Sequence, residues 1–277
     1  MTKDTKEAIP KHDESDRPIF IIGRHRSRST FVQRILNSHP DTQISGEHAG
    51  ILNHLAEMAS AFRGDYTKET PQHRKSEEFN MAFNPLSLLF DKEDLIATTR
   101  QFITQLFKPS AACQRWGFKE IRYHDQKSLT FLLGLYPACK MLFLRRPLLE
   151  MFLSDIKVYW SNFTIKDDIE LRLQIKEYIE LNQLWDHVED LLLVQHPKSC
   201  TRLEVNSLQS PQSIHDLYKI LDLSTAKLEE GLIEKLLAKK IGSADSQSAR
   251  RKELSDAQTE KIEKIFLQEY EKFTADE

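Results

Sequence analysis

Four apolar residues, Ile19 to Ile22, run without a polar interruption and stop at Gly23. A run this short and this apolar suits a strand buried on both faces, as in a parallel sheet. From Ser29 the period changes. Phe31, Ile35 and Leu36 recur at helical spacing, and the segment Asn37 to Asp41 ends that helix. Ile51, Leu52, Leu55, Met58, Ala59 and Phe62 share one face of a second predicted helix, residues 63–91 read as an irregular polar excursion, and a third helix is expected over Lys92 to Leu106. The alternation from Arg115 to Tyr123 predicts a strand, and a short helix ended by Pro137 follows. Lys140 to Leu144 is a second buried strand that leads into a helix with Pro147 in its first turn.

Residues 167–195 read as one long amphipathic helix, and Thr201 to Val205 as a third strand. Ser210 and Pro211 mark the next helix start, and Ser255 with Gln258 forms a capping box ahead of a last helix whose Ile262, Ile265, Phe266 and Tyr270 share a face. Strands alternating with helices predict an α/β fold with a central, mostly parallel sheet flanked by many helices. No repeat or linker interrupts the pattern. The chain therefore reads as a polar, disordered tail over residues 1–17 followed by a single domain over 18–277.

Composition narrows the function. With 277 residues, 40% of them hydrophobic, the chain is long enough to bury a substantial core. The formal net charge of -3 argues against a basic nucleic-acid binder, so anion binding must come from local clusters. No apolar run is long enough for a membrane span, and the polar N-terminus lacks the apolar segment of a signal peptide. Cys113, Cys139 and Cys200 share no CxxC spacing, so neither a disulfide framework nor a zinc site is expected. They read as buried thiols, and the location as cytoplasmic.

The chemistry concentrates between the first strand and the first helix. Gly23 is followed by Arg24, His25, Arg26, Ser27, Arg28, Ser29 and Thr30. A helix N-terminus has amides without intrahelical partners and a dipole that favours negative charge. Three arginines and three hydroxyls at that point suit a phosphate or pyrophosphate. The segment keeps the leading glycine and closing Ser-Thr of the P-loop pattern, but lacks its second glycine and its lysine. The strand Lys140 to Leu144 ends in arginines rather than an Mg²⁺-binding aspartate, which disfavours an ordinary kinase or ATPase.

The segment His25 to Thr30, followed by Ser38-His39-Pro40, resembles the 5′-phosphosulfate loop of the sulfotransferases that use 3′-phosphoadenosine 5′-phosphosulfate (PAPS). The resemblance implies a P-loop-like three-layer fold and a 5′-phosphosulfate held by Arg26, Ser27, Ser29 and Thr30, with Arg24, His25 and Arg28 alongside. A second element of that family is a strand-end arginine with a serine eight residues later, both on the 3′-phosphate. Arg146 and Ser154 have that spacing. A guanidinium there offers paired donors, and Ser154 lies two turns into the helix on the same side. A late basic loop closing over the nucleotide is matched more loosely by Arg250, Arg251 and Lys252. Two positions depart from the pattern: Arg28 stands where the family has glycine, and His25 where it has proline. A left-handed backbone at Arg28 costs about 1 kcal/mol or more.

Glu47, in Gly46-Glu47-His48, resembles the catalytic glutamate of tyrosylprotein and related sulfotransferases, and His48 and His25 are alternative bases. Lys119 matches a lysine that related enzymes place near the sulfuryl group. The resemblance thus implies a metal-free sulfuryl transfer from PAPS, leaving 3′-phosphoadenosine 5′-phosphate (PAP), to a hydroxyl or amine of a small molecule such as a secondary metabolite. A non-catalytic anion-binding protein and a divergent P-loop kinase are the competing readings. Trp116, Tyr159 and Trp160 are pocket candidates, with core packing as their simpler role.

Overall fold

The computed structural model describes residues 17–63, 92–108, 115–159, 168–228, 231–238 and 254–275. Five strands are present among them: β1 (Ile19–Ile22), β2 (Thr42–Ser45), β3 (Arg115–Glu120), β4 (Lys140–Arg145) and β5 (Cys200–Glu204). They form one sheet in the order β2-β3-β1-β4-β5, and every pairing is parallel. The connecting helices are α1 (Ser29–Asn37), α2 (Ile51–Arg63), α3 (Lys92–Phe107), α4 (Gln126–Leu135), α5 (Leu148–Tyr159), α6 (Asp168–Gln195), α7 (Pro211–Ile220), α8 (Leu232–Ala238) and α9 (Asp256–Ala275). The predicted α/β fold is the observed one: a P-loop-like, three-layer arrangement.

β1 is central and fully buried, as its unbroken apolar run requires. Ile19 and Ile21 face α1, α7 and α8, packing with Val32, Ile35, Leu36, Leu217 and Tyr218. Phe20 and Ile22 face the opposite layer with Leu52, Ile103, Phe107, Leu132 and Leu192. Parallel β1 and β3 approach closely at Gly117, where a Cβ would stand 1.7 Å from the carbonyl oxygen of Ile19. Trp116 belongs to this core and is completely buried, as are Cys139 and Cys200 nearly so; burial pushes both thiols up to about 12. A third cluster joins α5, α6 and α9 through Phe152, Ile156, Ile175, Ile179, Ile262 and Phe266.

β2 was not expected from the sequence. It has one buried aliphatic residue, Ile44, among polar neighbours. Asn37 completes it by acting as a strand would: its side chain accepts from Ile44 N at 2.6 Å and donates to Ile44 O at 2.9 Å. The strand begun at Arg115 ends at Glu120 rather than Tyr123, because the Glu120 carboxylate takes the next amide, that of Ile121 at 2.8 Å, and turns the chain. The capping predictions at Ser210 and at Ser255–Gln258 match the observed bonds. Among the described residues, no helix is long and apolar enough to cross a membrane. The tail 1–16, most of the excursion 64–91, Cys113 and Trp160 lie outside the described residues.

Candidate active site

From β1 the chain crosses to β2 on one side, and from β4 to β5 on the other. The crevice beyond the adjoining ends of β1 and β4 is therefore a topological switch point, where open α/β sheets bind ligands. Both predicted basic elements leave the sheet there.

Gly23 opens the first loop. A Cβ at this position would lie 2.6 Å from Ser27 Oγ, so the loop closes only over hydrogen. Arg26 and Arg28 take left-handed backbone, with φ of 59° and 61°, a conformation used in the backbone nests that bind anions. The glycine-like geometry suspected at Arg28 is thus present despite its side chain. Arg28 is also the N-cap residue of α1, yet it makes no side-chain cap, and the first turn carries no acidic group. Ser27 Oγ is fully buried without a hydrogen-bond partner among the described residues. An uncapped helix start beside an orphaned hydroxyl fits an anion.

The second element closes on the first. Arg26 Nε donates to Ser154 Oγ at 2.8 Å, and Arg146 Nη1 donates to the Arg26 carbonyl at 2.8 Å. Arg146 Nε holds Glu150 Oε2 at 2.9 Å; Glu150 Oε1 accepts from Asn206, whose Oδ1 accepts from Arg28 at 3.2 Å. His25 is exposed, with Nδ1 3.7 Å from Asp155. Arg26, Ser27, Arg28, Ser29, Thr30, Arg146 and Ser154 are therefore brought together, with His25 beside them.

Arg24 points elsewhere. Its buried guanidinium bonds Asn182 at 3.2 Å, pairs with Asp186, and lies 5.6 Å over the ring of Trp185. Arg145 also pairs with Asp186, and Glu189 gathers the group, with Arg24 Nη2 at 3.7 Å, Arg145 Nε at 2.9 Å and Arg202 Nε at 2.5 Å; Arg202 pairs further with Asp190. The ends of β1 and β4 and the middle of β5 are thus tied to α6. Burial lowers the Arg24 pKa, against the pull of Asp186. Trp185 also stacks on His124 at 4.0 Å, and desolvation pushes that histidine down to about 4. Arg250 and Arg251 lie outside the described residues.

Glu47 follows β2 at the same end of the sheet. One carboxylate oxygen pairs with Lys119; the other is 3.3 Å from Arg122. Lys119 is only 5% exposed, so its ammonium is held inside the fold against Glu47 rather than in solvent. His48 turns inward against Phe107 and Phe118, with Tyr123 Oη at 3.3 Å, and burial lowers its pKa. Sequence reasoning passed over Glu120, Glu150, Asp186, Glu189 and Asn206. The one available signal was Glu120, a second charged residue in succession at the end of a buried strand.

Fold and site together define a P-loop-like α/β protein with two basic elements brought together at the switch point. Residues 18–226 match the model of the Sulfotransferase family, and the chain belongs to that family. No curated protein matches the sequence. Solved structures similar to it include a sulfotransferase from Alicyclobacillus acidocaldarius, 16% identical over 91% of this chain and 92% of that one with a TM-score of 0.48. The sulfotransferase domain of the Synechococcus PCC 7002 olefin synthase is 15% identical over 94% and 95%, with a TM-score of 0.47.

Proposed function

We propose that this protein transfers a sulfuryl group from PAPS to a hydroxyl or amine of a small molecule. One observation carries the reading: the loop after β1 and the arginine-serine pair after β4, 120 residues apart, close on each other through Arg146 and the Arg26 carbonyl. Two anion subsites side by side suit a nucleotide with phosphate at both its 3′ and 5′ positions better than one with a single chain of phosphates. Ser27, Ser29, Thr30, Arg26 and the first amides of α1 would hold the 5′-phosphosulfate, and Arg146 with Ser154 the 3′-phosphate. The orphaned Ser27 hydroxyl and the cradle at Gly23 fit that ligand. PAPS, when bound, supplies the sulfuryl group and leaves as PAP.

In this reading residues 18–277 form one catalytic domain. Arg24 braces the loop from beneath, while His25 and Arg28 flank its mouth. Arg250 and Arg251 stay assigned to the nucleotide on the resemblance alone. Glu47 takes the proton of the acceptor hydroxyl or amine. A carboxylate held by two cations must loosen one contact before it binds a proton. Loosening the Lys119 pair does this and frees the ammonium to offset negative charge developing nearby.

Calorimetry in the absence of Mg²⁺ tests the reading. PAP should bind more tightly than AMP or ATP. Equal affinity for AMP and PAP would remove the 3′-phosphate subsite, and with it the proposed donor.

A further inference from the structure

Glu120 is completely buried and has no part in the proton transfer. It follows Lys119 on β3, so the two side chains leave opposite faces of the sheet. Lys119 reaches Glu47. Glu120 reaches the turn that follows Glu47: Oε2 accepts from the amides of His48 at 3.1 Å and Gly50 at 3.0 Å. Its other oxygen accepts from Ile121 N at 2.8 Å and Arg122 Nη1 at 2.9 Å. The same Arg122 nitrogen is 3.3 Å from Glu47 Oε2.

The segment so held is a strained one. Ala49 and Gly50 are successive left-handed residues, φ 58° and 71°, and alanine does not adopt that conformation without compensation. The first turn of α2 brings no acidic residue of its own. A carboxylate from the sheet takes that place beside the helix start, where the dipole favours it.

We infer that Glu120 is the positioning residue of the transfer reaction. It fixes the turn 48–50 from one side of the sheet so that Glu47 meets Lys119 on the other, and Arg122 links the two carboxylates. This rests on the reading of Glu47 as the base. Glutamine cannot substitute. One of its two terminal atoms is a donor, and it would face either two backbone amides or an amide and a guanidinium.

The test compares wild type, Glu120→Gln, and Glu120→Gln combined with Ala49→Gly. In the wild type, amide-resolved hydrogen exchange should find the His48 and Gly50 amides protected although they lie outside any helix or strand. Fast exchange there overturns the inference whether or not the variants fold. Glu120→Gln should lower kcat by about 10²-fold, the size of effect expected from a small misplacement of a reacting group. PAP affinity should hold, and exchange should rise at residues 48–50 alone. Ala49→Gly, by removing the left-handed penalty, should restore part of kcat. Wild-type turnover in Glu120→Gln overturns the positioning role, as does loss of PAP affinity in step with kcat. A wild-type protein that binds no PAP would instead sink the sulfotransfer reading, and the exchange result would still decide whether Glu120 holds the turn.

Discussion

Arg26 Nε donates to Ser154 Oγ at 2.8 Å across 128 residues of chain. The bond joins a side chain of the loop after β1 to the second turn of α5, and Arg146 adds a bond to the Arg26 carbonyl. With Nε on Glu150 and Nη1 on that carbonyl, Arg146 has Nη2 without a hydrogen-bond partner among the described residues. Ser154 accepts from Arg26 and keeps its own hydroxyl hydrogen to donate.

The first prediction follows from those remaining donors. Arg146→Ala removes a charge-assisted contact and should weaken PAP binding by more than about 1.5 kcal/mol. Ser154→Ala removes a neutral donor and should cost less. Calorimetry on folded protein decides it: PAP affinity unchanged in Arg146→Ala would rule out a 3′-phosphate at this arginine.

Much of this site was legible because its chemistry lies in short local patterns. The loop 23–30 and the Arg146–Ser154 spacing need only a strand, a turn and a helix to place them, and the apolar runs supply those. Glu47 and Lys119 were singled out separately, and the fold pairs them. Direction was the hidden quantity. Arg24 carries the same charge as Arg26, but Asp186, some 160 residues later, draws it under the sheet. β2 was invisible because Ile44 is its one buried aliphatic residue and side chains of α1, Asn37 and Gln33, bond its backbone on the side away from β3. Glu120 was passed over because nothing local reveals that two amides from another loop converge on it.

Packing in the sheet yields a stability prediction. At Gly117 any side chain meets the Ile19 carbonyl at 1.7 Å, and these two residues are register partners in the central pair of strands. Backbone on one side and a ladder on the other leave no room to yield. Gly117→Ala should destabilise the fold by about 3 kcal/mol or more. A urea midpoint equal to that of the wild type would contradict this account of the β1–β3 approach.

His124 ties stability to pH. Its folded-state pKa is depressed to about 4, first by desolvation against Trp185 and its neighbours. The unfolded chain takes up this proton near pH 6.5, well before the folded one. The unfolded state therefore binds more protons between those values, and stability falls as pH drops through the window. By pH 5 the loss from this group should reach about 2 kcal/mol relative to pH 7. Urea unfolding at the two pH values measures it. His124→Phe keeps an aromatic partner for Trp185 and should flatten that part of the dependence; an unchanged slope would mean that the histidine is already charged in the folded protein.

The base is the boldest assignment and has the sharpest test. Glu47→Gln keeps the size of the side chain and leaves Arg26, Arg146 and Ser154 untouched, so PAP affinity should persist. Turnover should fall about 10²-fold or more, the usual contribution of a positioned base. His48→Ala should do less to the chemistry, since its ring packs between Phe107 and Phe118 and touches Tyr123 rather than the anion loop. Its effect should be on stability, through the cavity it leaves. The alternative is equally definite. His48 is buried, with its pKa lowered by desolvation, so its imidazole is neutral at pH 7 and chemically able to accept a proton. If Glu47→Gln turns over normally while His48→Ala or His25→Ala is inactive with PAP binding intact, proton transfer belongs to histidine. The Glu47–Lys119 pair would then be only an ion pair at the end of the sheet.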